Sequence, residues 1–188
     1  MKRNLLIAAL MTITTTILLG IIYPIVVMFL AQALFHNRAN GQLIKGDGEL
    51  IGCRIMGQRF VSDKYFHSRP SAAGNGYDAA NSSGSNLGPT NQKLLDRIKR
   101  DVAAAHAENP NTPVPVDLVT TSGSGLDPDI SPAAALFQVP RIAGVRGISQ
   151  DQVRTLVQRH VRQREFRILG EPRVNVLGLN LALDEMGN

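Results

Sequence analysis

Tryptophan is absent from the sequence, cysteine occurs once, and aromatic residues fill only 5% of the 188 positions. A single thiol, Cys53, cannot close an intramolecular disulfide, which argues against a small disulfide-stapled secreted module and leaves a periplasmic location open. Cys53 reads as a small buried hydrophobe. With so few aromatics, any core outside a membrane must rest on Leu, Ile, Val and Ala. Charge is missing altogether from Leu5 to Phe35.

That uncharged run, LLIAALMTITTTILLGIIYPIVVMFLAQALF, exceeds the roughly 20 apolar residues that a spanning helix needs. Lys2, Arg3 and Ala31-Gln32-Ala33 resemble parts of a cleaved signal peptide. The apolar stretch is far longer than the 7–15 residues of such a signal, so residues 1–35 read as a retained anchor. Thr side chains can bond to carbonyls one turn back. Pro24 is expected to kink the helix. Thr16, Gly20 and Pro24 form a candidate face for packing on another membrane helix. Lys2 and Arg3 before the helix place the N-terminus in the cytoplasm and the rest of the chain outside, in a bacterium the periplasm.

The formal net charge is +5. The length after the anchor suits one modest domain. Residues 36–49 read as a polar, Gly-bearing linker and residues 50–188 as the domain. Short apolar runs at 50–62 predict one or two strands. Residues 67–90 are too rich in Gly, Ser and Asn, and too long, for a plain connector, so they read as an ordered functional loop. The pattern at 91–107 predicts a helix with Leu94, Leu95, Ile98, Val102 and Ala105 on one face, capped by Thr90 or Asn91. Val116–Thr121 alternates like a strand. Ser131-Pro132 starts a short helix that ends before Pro140. Ser149 with Gln152 makes a capping box for the next helix, whose apolar face is Val153, Leu156 and Val157. Residues 174–183 alternate and predict a closing strand. Together these elements predict an α+β domain.

The chemistry-bearing residues match no catalytic template. Asp127-Pro128-Asp129 could hold a hard cation, but lacks EF-hand spacing and suits a turn. Ser85 and Ser124 lie outside any G-x-S-x-G elbow. The small-residue runs could cradle an anion through backbone N–H groups, but no phosphate-loop Lys follows. Arg154, Arg159, Arg162, Arg164 and Arg167 make a basic region that reads as a solvated face, or as one for anionic lipid or an acidic partner. Nucleic acid does not fit a domain outside the membrane. Tyr65, Phe66 and Arg69 resemble interface anchors.

Several motifs then point the same way. Gly57-Gln58 with Phe60 is followed by Tyr65-Phe66, Arg69-Pro70-Ser71 and Gly84-Ser85-Asn86-Leu87-Gly88-Pro89. Further on stand Pro115-Val116-Asp117, Ser122-Gly123-Ser124-Gly125-Leu126-Asp127-Pro128, Ser131-Pro132-Ala133, Gln138-Val139, Arg141-Ile142-Ala143 and Gly170-Glu171-Pro172. In this order, behind a membrane helix, they resemble the C-subunit family of the bacterial Kdp potassium-transporting ATPase over nearly the whole chain. The resemblance implies a non-catalytic accessory subunit for high-affinity potassium uptake. The implied partners are a channel-like potassium-binding subunit, a P-type ATPase subunit and a small single-helix subunit. It also implies action as a catalytic chaperone that raises the ATPase subunit's affinity for ATP, so ATP is a family-implied ligand of the complex. The Asp-Lys-Thr-Gly-Thr phosphorylation motif of P-type ATPases is not in this sequence.

Loops 65–91 and 122–132 are the candidate docking surface, with Tyr65, Phe66, Arg69, Asn86, Ser124 and Asp127 as its residues. No catalytic residue and no metal ligand is assigned. The rival readings are a membrane-tethered periplasmic enzyme, which would turn over as an isolated domain, and a lipid-binding tether, which would bind vesicles in a salt-sensitive way.

Overall fold

The computed structural model describes residues 1–46 and 48–186. They fall into two units, Met1–Leu43 and Ile44–Asn188. The fold is mixed helix and sheet behind one long N-terminal helix.

In the first unit, α1 (Lys2–Thr15), a π-helical stretch (Thr16–Ile22) and α2 (Tyr23–Ala39) run on as one helix. Its 38 residues are long and apolar enough to cross a bilayer; at 1.5 Å per residue they reach roughly 57 Å, beyond the ~30 Å hydrocarbon layer. Thr15 Oγ1 donates back to Met11 O at 2.8 Å, so this hydroxyl is satisfied within the helix. The π-helical stretch lies immediately before Pro24. Without an N–H, Pro24 cannot bond to the Gly20 carbonyl, and its ring crowds that carbonyl. The preceding turns widen, with Tyr23 N–H reaching Leu18 O, which makes room. The non-helical residue lies further on, at Phe35 (φ −136°, ψ 40°), and helix resumes to Ala39. The helix therefore runs past the expected end at residue 35. Asn40 closes it by bonding to His36 O and to the Gln32 amide.

The stretch expected to be a linker contains β1 (Leu43–Gly46), and β2 (Glu49–Cys53) pairs with it. Beyond β2 the apolar runs at 54–62 form turns and irregular backbone, not a second strand.

In the second unit, α3 (Gln92–Glu108) starts at its Asn91 cap, whose side chain accepts from Lys93 N–H at 2.9 Å. Its apolar stripe is only half covered: Leu95 is 38% and Val102 37% exposed. β3 (Asp129–Ile130) leads to α4 (Pro132–Phe137), with Ser131 as the expected cap. As expected, α4 ends before Pro140. Pro140 sits in the first turn of α5 (Val139–Arg146), where a missing N–H costs nothing. The capping box of Ser149 and Gln152 opens α6 (Gln150–His160), and Val153, Leu156 and Val157 are buried as expected. β4 (Val161–Arg162) and β5 (Arg173–Asn175) complete a three-stranded antiparallel sheet, ordered β3-β5-β4. α7 (Val176–Glu185) follows at once.

Two expected strands are helical instead. Val116–Leu118 is a single 3-10 turn, because Asp117 turns inward and its carboxylate accepts both the N–H and the hydroxyl of Ser131. Residues 176–183 are helix because the Asn175 side chain caps Gly178 N–H at 3.0 Å. Val176, Leu177, Leu179, Asn180 and Leu183 then fall on the buried face, a spacing that alternation in the sequence conceals.

The core joins α4, α5, α6 and α7 to the sheet through Ile130, Ala134, Ala135, Val139, Ile142, Val153, Val157, Val174, Leu179 and Leu183. No buried core side chain is larger than Phe, as the shortage of aromatics requires.

Candidate functional site

The two small-residue loops are clasped to each other. Arg69 lies at the centre. Its guanidinium pairs with Asp127 at 3.1 Å and donates to Thr120 O, Thr120 Oγ1 and Thr121 O at 3.3–3.4 Å. Ser71 Oγ donates to Gly125 O at 2.6 Å and accepts from Ala73 and Tyr77 N–H. Ser83 N–H and Ser82 Oγ both reach Ser124 O. Gly57 N–H donates to Leu126 O at 2.7 Å.

Glycine is needed at this contact. Gly125 has φ +67°, and a Cβ there would sit 2.6 Å from Ser83 O and 2.7 Å from Ala73 N. The small residues thus let two backbones approach closely. The Tyr77 hydroxyl donates to the Arg69 carbonyl, and burial pushes its pKa up. Asp78 caps the short turn Ala79–Asn81, and the Asn81 amide and Ala80 N–H hold its carboxyl below the usual range.

Asp127 and Asp129 do not form a shared oxygen site. Asp127 faces Arg69, whereas Asp129 pairs with Arg173 at 3.2 Å and accepts from Asn175 Nδ2. Beside them opens a groove of ≈ 510 Å³, lined by Arg69, Asp127, Asp129, Arg173, Pro115 and Ile130 among others. Each of its carboxylates already faces a cation or, for Asp117, the Ser131 donors. Its charged side chains are therefore held by partners, beside the apolar Pro115 and Ile130.

The remaining candidate residues are dispersed. Phe66 is fully buried, so its ring is part of the core and presents no surface. Its backbone is clamped by Asn180, which accepts its N–H at 2.8 Å and donates to its carbonyl at 3.0 Å. Tyr65 is half-buried at another edge, where its hydroxyl donates to Asp184 and Arg146 stacks 5.2 Å from its ring. Asn86 is exposed with φ +51°. Ser124 is exposed, and its hydroxyl accepts Leu126 N–H at 3.1 Å. Thr16 and Gly20 lie in the π-helical stretch, with Pro24 just beyond.

The residue reading gave no roles to Gln138, Arg141 and Asn180. Gln138 is buried, yet its amide bonds on both sides: Oε1 accepts from His67 N–H and Arg141, while Nε2 donates to His67 O and Ala134 O. Arg141 pairs with Glu108 and donates to the Asp63 and Tyr65 carbonyls. No local signal could have shown this, because the partners of Gln138 and Asn180 lie 71 and 114 positions away.

Comparison with known proteins bears on the family of the chain. A family model described as KdpC, K+-transporting ATPase, c chain, matches residues 5–185. A potassium-transporting ATPase KdpC subunit of Koribacter versatilis (strain Ellin345) is 59% identical over 184 residues, covering 98% of this chain and 95% of the relative. One from Rhodopseudomonas palustris (strain BisB18) is 54% identical over 189 residues, covering 94% and 95%. Another, from Caulobacter vibrioides (strain NA1000 / CB15N), is 56% identical over 170 residues, covering 90% and 86%.

Proposed function

The chain belongs to the KdpC family, the c chain of the K+-transporting ATPase, and from that premise we propose that it is the non-catalytic accessory subunit of the complex. It crosses the inner membrane once, with its N-terminus in the cytoplasm and the unit from Ile44 onward in the periplasm. It assembles with the channel-like potassium-binding subunit, the P-type ATPase subunit and the small single-helix subunit.

The observation that carries this reading is the use of the polar residues. Arg69, Asp127, Gln138, Arg141 and Asn180 are committed to holding loop backbone in place. A pre-organised loop surface loses little freedom on docking, which favours affinity. The clasp centred on Arg69 and Asp127, with Ser124 and Asn86 exposed on the same two loops, is the proposed contact for the potassium-binding subunit. Thr16, Gly20 and Pro24 are the proposed packing face of the membrane helix.

A periplasmic unit cannot touch cytoplasmic ATP. Its effect on ATP affinity therefore travels through the assembly as a coupling free energy, typically 1–3 kcal/mol or roughly 5–150-fold.

The test is purification of the tagged chain in mild detergent from potassium-starved cells. The P-type ATPase and potassium-binding subunits should come with it in stoichiometric amount. Arg69→Ala and Asp127→Ala, singly and together, should reduce that recovery. Recovery of the chain alone, with its partners expressed, would remove the accessory reading. Full recovery with the double variant would move the contact away from the clasp.

A further inference from the structure

Between β4 and β5 the chain forms a small hairpin whose tip carries exposed apolar side chains. Glu165 and Leu169 exchange backbone bonds at 2.9 Å in both directions. The turn between them places Phe166 (φ 51°) and Arg167 (φ 67°) in the left-handed region. Consecutive left-handed residues make the turn suited to a tight hairpin, and Asn and Gly usually occupy them. A bulky Phe there is conformationally unfavourable, so this turn is not built for ease of folding. Its effect is to hold Phe166 85% exposed, with Ile168 at 74% and Leu169 at 57%.

The charge around the tip is one-sided. Both nearby acids are neutralised within the chain: Glu165 by Arg173 at 3.1 Å and Glu171 by Arg164 at 2.5 Å. Arg162 and Arg167 are exposed and make no ion pair among the described residues. Arg154 and Arg159 of neighbouring α6 are exposed likewise. The hairpin thus presents exposed apolar side chains, with the exposed Arg162 and Arg167 close to them along the chain.

We propose that this hairpin, residues 164–169, is a membrane-contact device that seats Phe166 and Ile168 at the interface of a bilayer bearing anionic lipid, with Arg162 and Arg167 on the headgroups. Three features favour lipid over a protein pocket. The apolar side chains stand highly exposed at a hairpin tip, and a fluid interface needs no complementary cavity to receive them. Guanidinium groups flanking apolar side chains match the layering of headgroup over acyl chain. The chain's own spanning helix keeps the domain tethered to a bilayer, so even weak contact is populated through effective concentration. The inference rests on the anchor being retained and is independent of any docking surface.

The absence of tryptophan supplies the probe. The full chain carrying Phe166→Trp would be reconstituted in nanodiscs of phosphatidylcholine with or without phosphatidylglycerol, using brominated acyl chains as quenchers. Lys99→Trp, on exposed α3, is the reference. The Phe166→Trp emission should shift to the blue and be quenched in the anionic discs, and high salt should reverse this. Arg162→Glu with Arg167→Glu should weaken the contact at least fivefold, while Lys99→Trp stays unquenched. Circular dichroism should match the unsubstituted chain. Two results would overturn the proposal. One is solvent-like, unquenched emission in anionic discs. The other is shielding that appears only when the remaining subunits are added, which would make the tip a protein contact.

Discussion

His67 sits where loop, helix and clamp meet. Its Nε2 lies 3.2 Å from the Ser62 carbonyl, and its backbone is held on both sides by Gln138. Burial, and then the Arg141 guanidinium, lower its pKa below the ordinary 6.5, outweighing the Ser62 carbonyl, Glu108 and Asp63. The folded chain therefore takes up this proton less readily than the unfolded chain. Stability is full above 6.5 and declines as pH falls below it, levelling once the folded ring itself protonates. The unfolding midpoint of the whole protein in detergent should fall between pH 7 and pH 5, and His67→Gln should flatten that decline. Equal slopes for the two proteins would assign the pH response elsewhere. At this scale the sequence was partly legible. Arg69 and Asp127 drew attention as an Arg among aromatics and an Asp before Pro. That they meet each other, across 58 positions, was not visible.

Among the elements, α7 depends most on a single side chain. Asn175 caps Gly178 N–H, and its Nδ2 also donates to Arg54 O at 2.9 Å and Asp129 Oδ1 at 3.1 Å. Asn175→Ala should cost about 1–3 kcal/mol, from the lost cap and the two further bonds of this buried amide. Thermal unfolding should register this as a drop of several degrees, at about 2–4 °C per kcal/mol in a chain of this size. A change below about 1 °C would mean that β5 and the core hold the helix start without the cap. The same residue explains why the expected strand at 174–183 is mostly helix. Its apolar spacing fits a period of two as well as one of 3.6, and the cap decides between them. The starts of α3, α4 and α6 were legible because Asn91, Ser131-Pro132 and the Ser149–Gln152 capping box precede segments that do not alternate, whereas the segment after Asn175 does.

Across the whole molecule, the chain divides at Leu43 and Ile44 into two separately packed units. The core of the second unit draws no residue from the first. A protein beginning at Ile44 should therefore fold cooperatively, with a melting midpoint within a few degrees of the full chain. Broad, non-cooperative unfolding would show that the helix contributes to the stability of the domain. On the proposed packing role of Thr16, Gly20 and Pro24, such a fragment should fail to restore potassium uptake.

Some properties follow from composition and near neighbours alone. An uncharged apolar run of this length becomes a long helix in a bilayer, since backbone groups there must satisfy each other within the segment. A Ser or Asn three residues before an amide caps it with no help from the rest of the chain. The order of motifs also carries family membership. The clasp of the two loops, the inward turn of Asp117 and the clamps by Gln138, Arg141 and Asn180 belong to tertiary structure. Each joins groups far apart in the chain, and no local pattern records which distant donor will meet which acceptor. Packing of the core settles those pairings, because a buried polar group left without its partner would destabilise the fold.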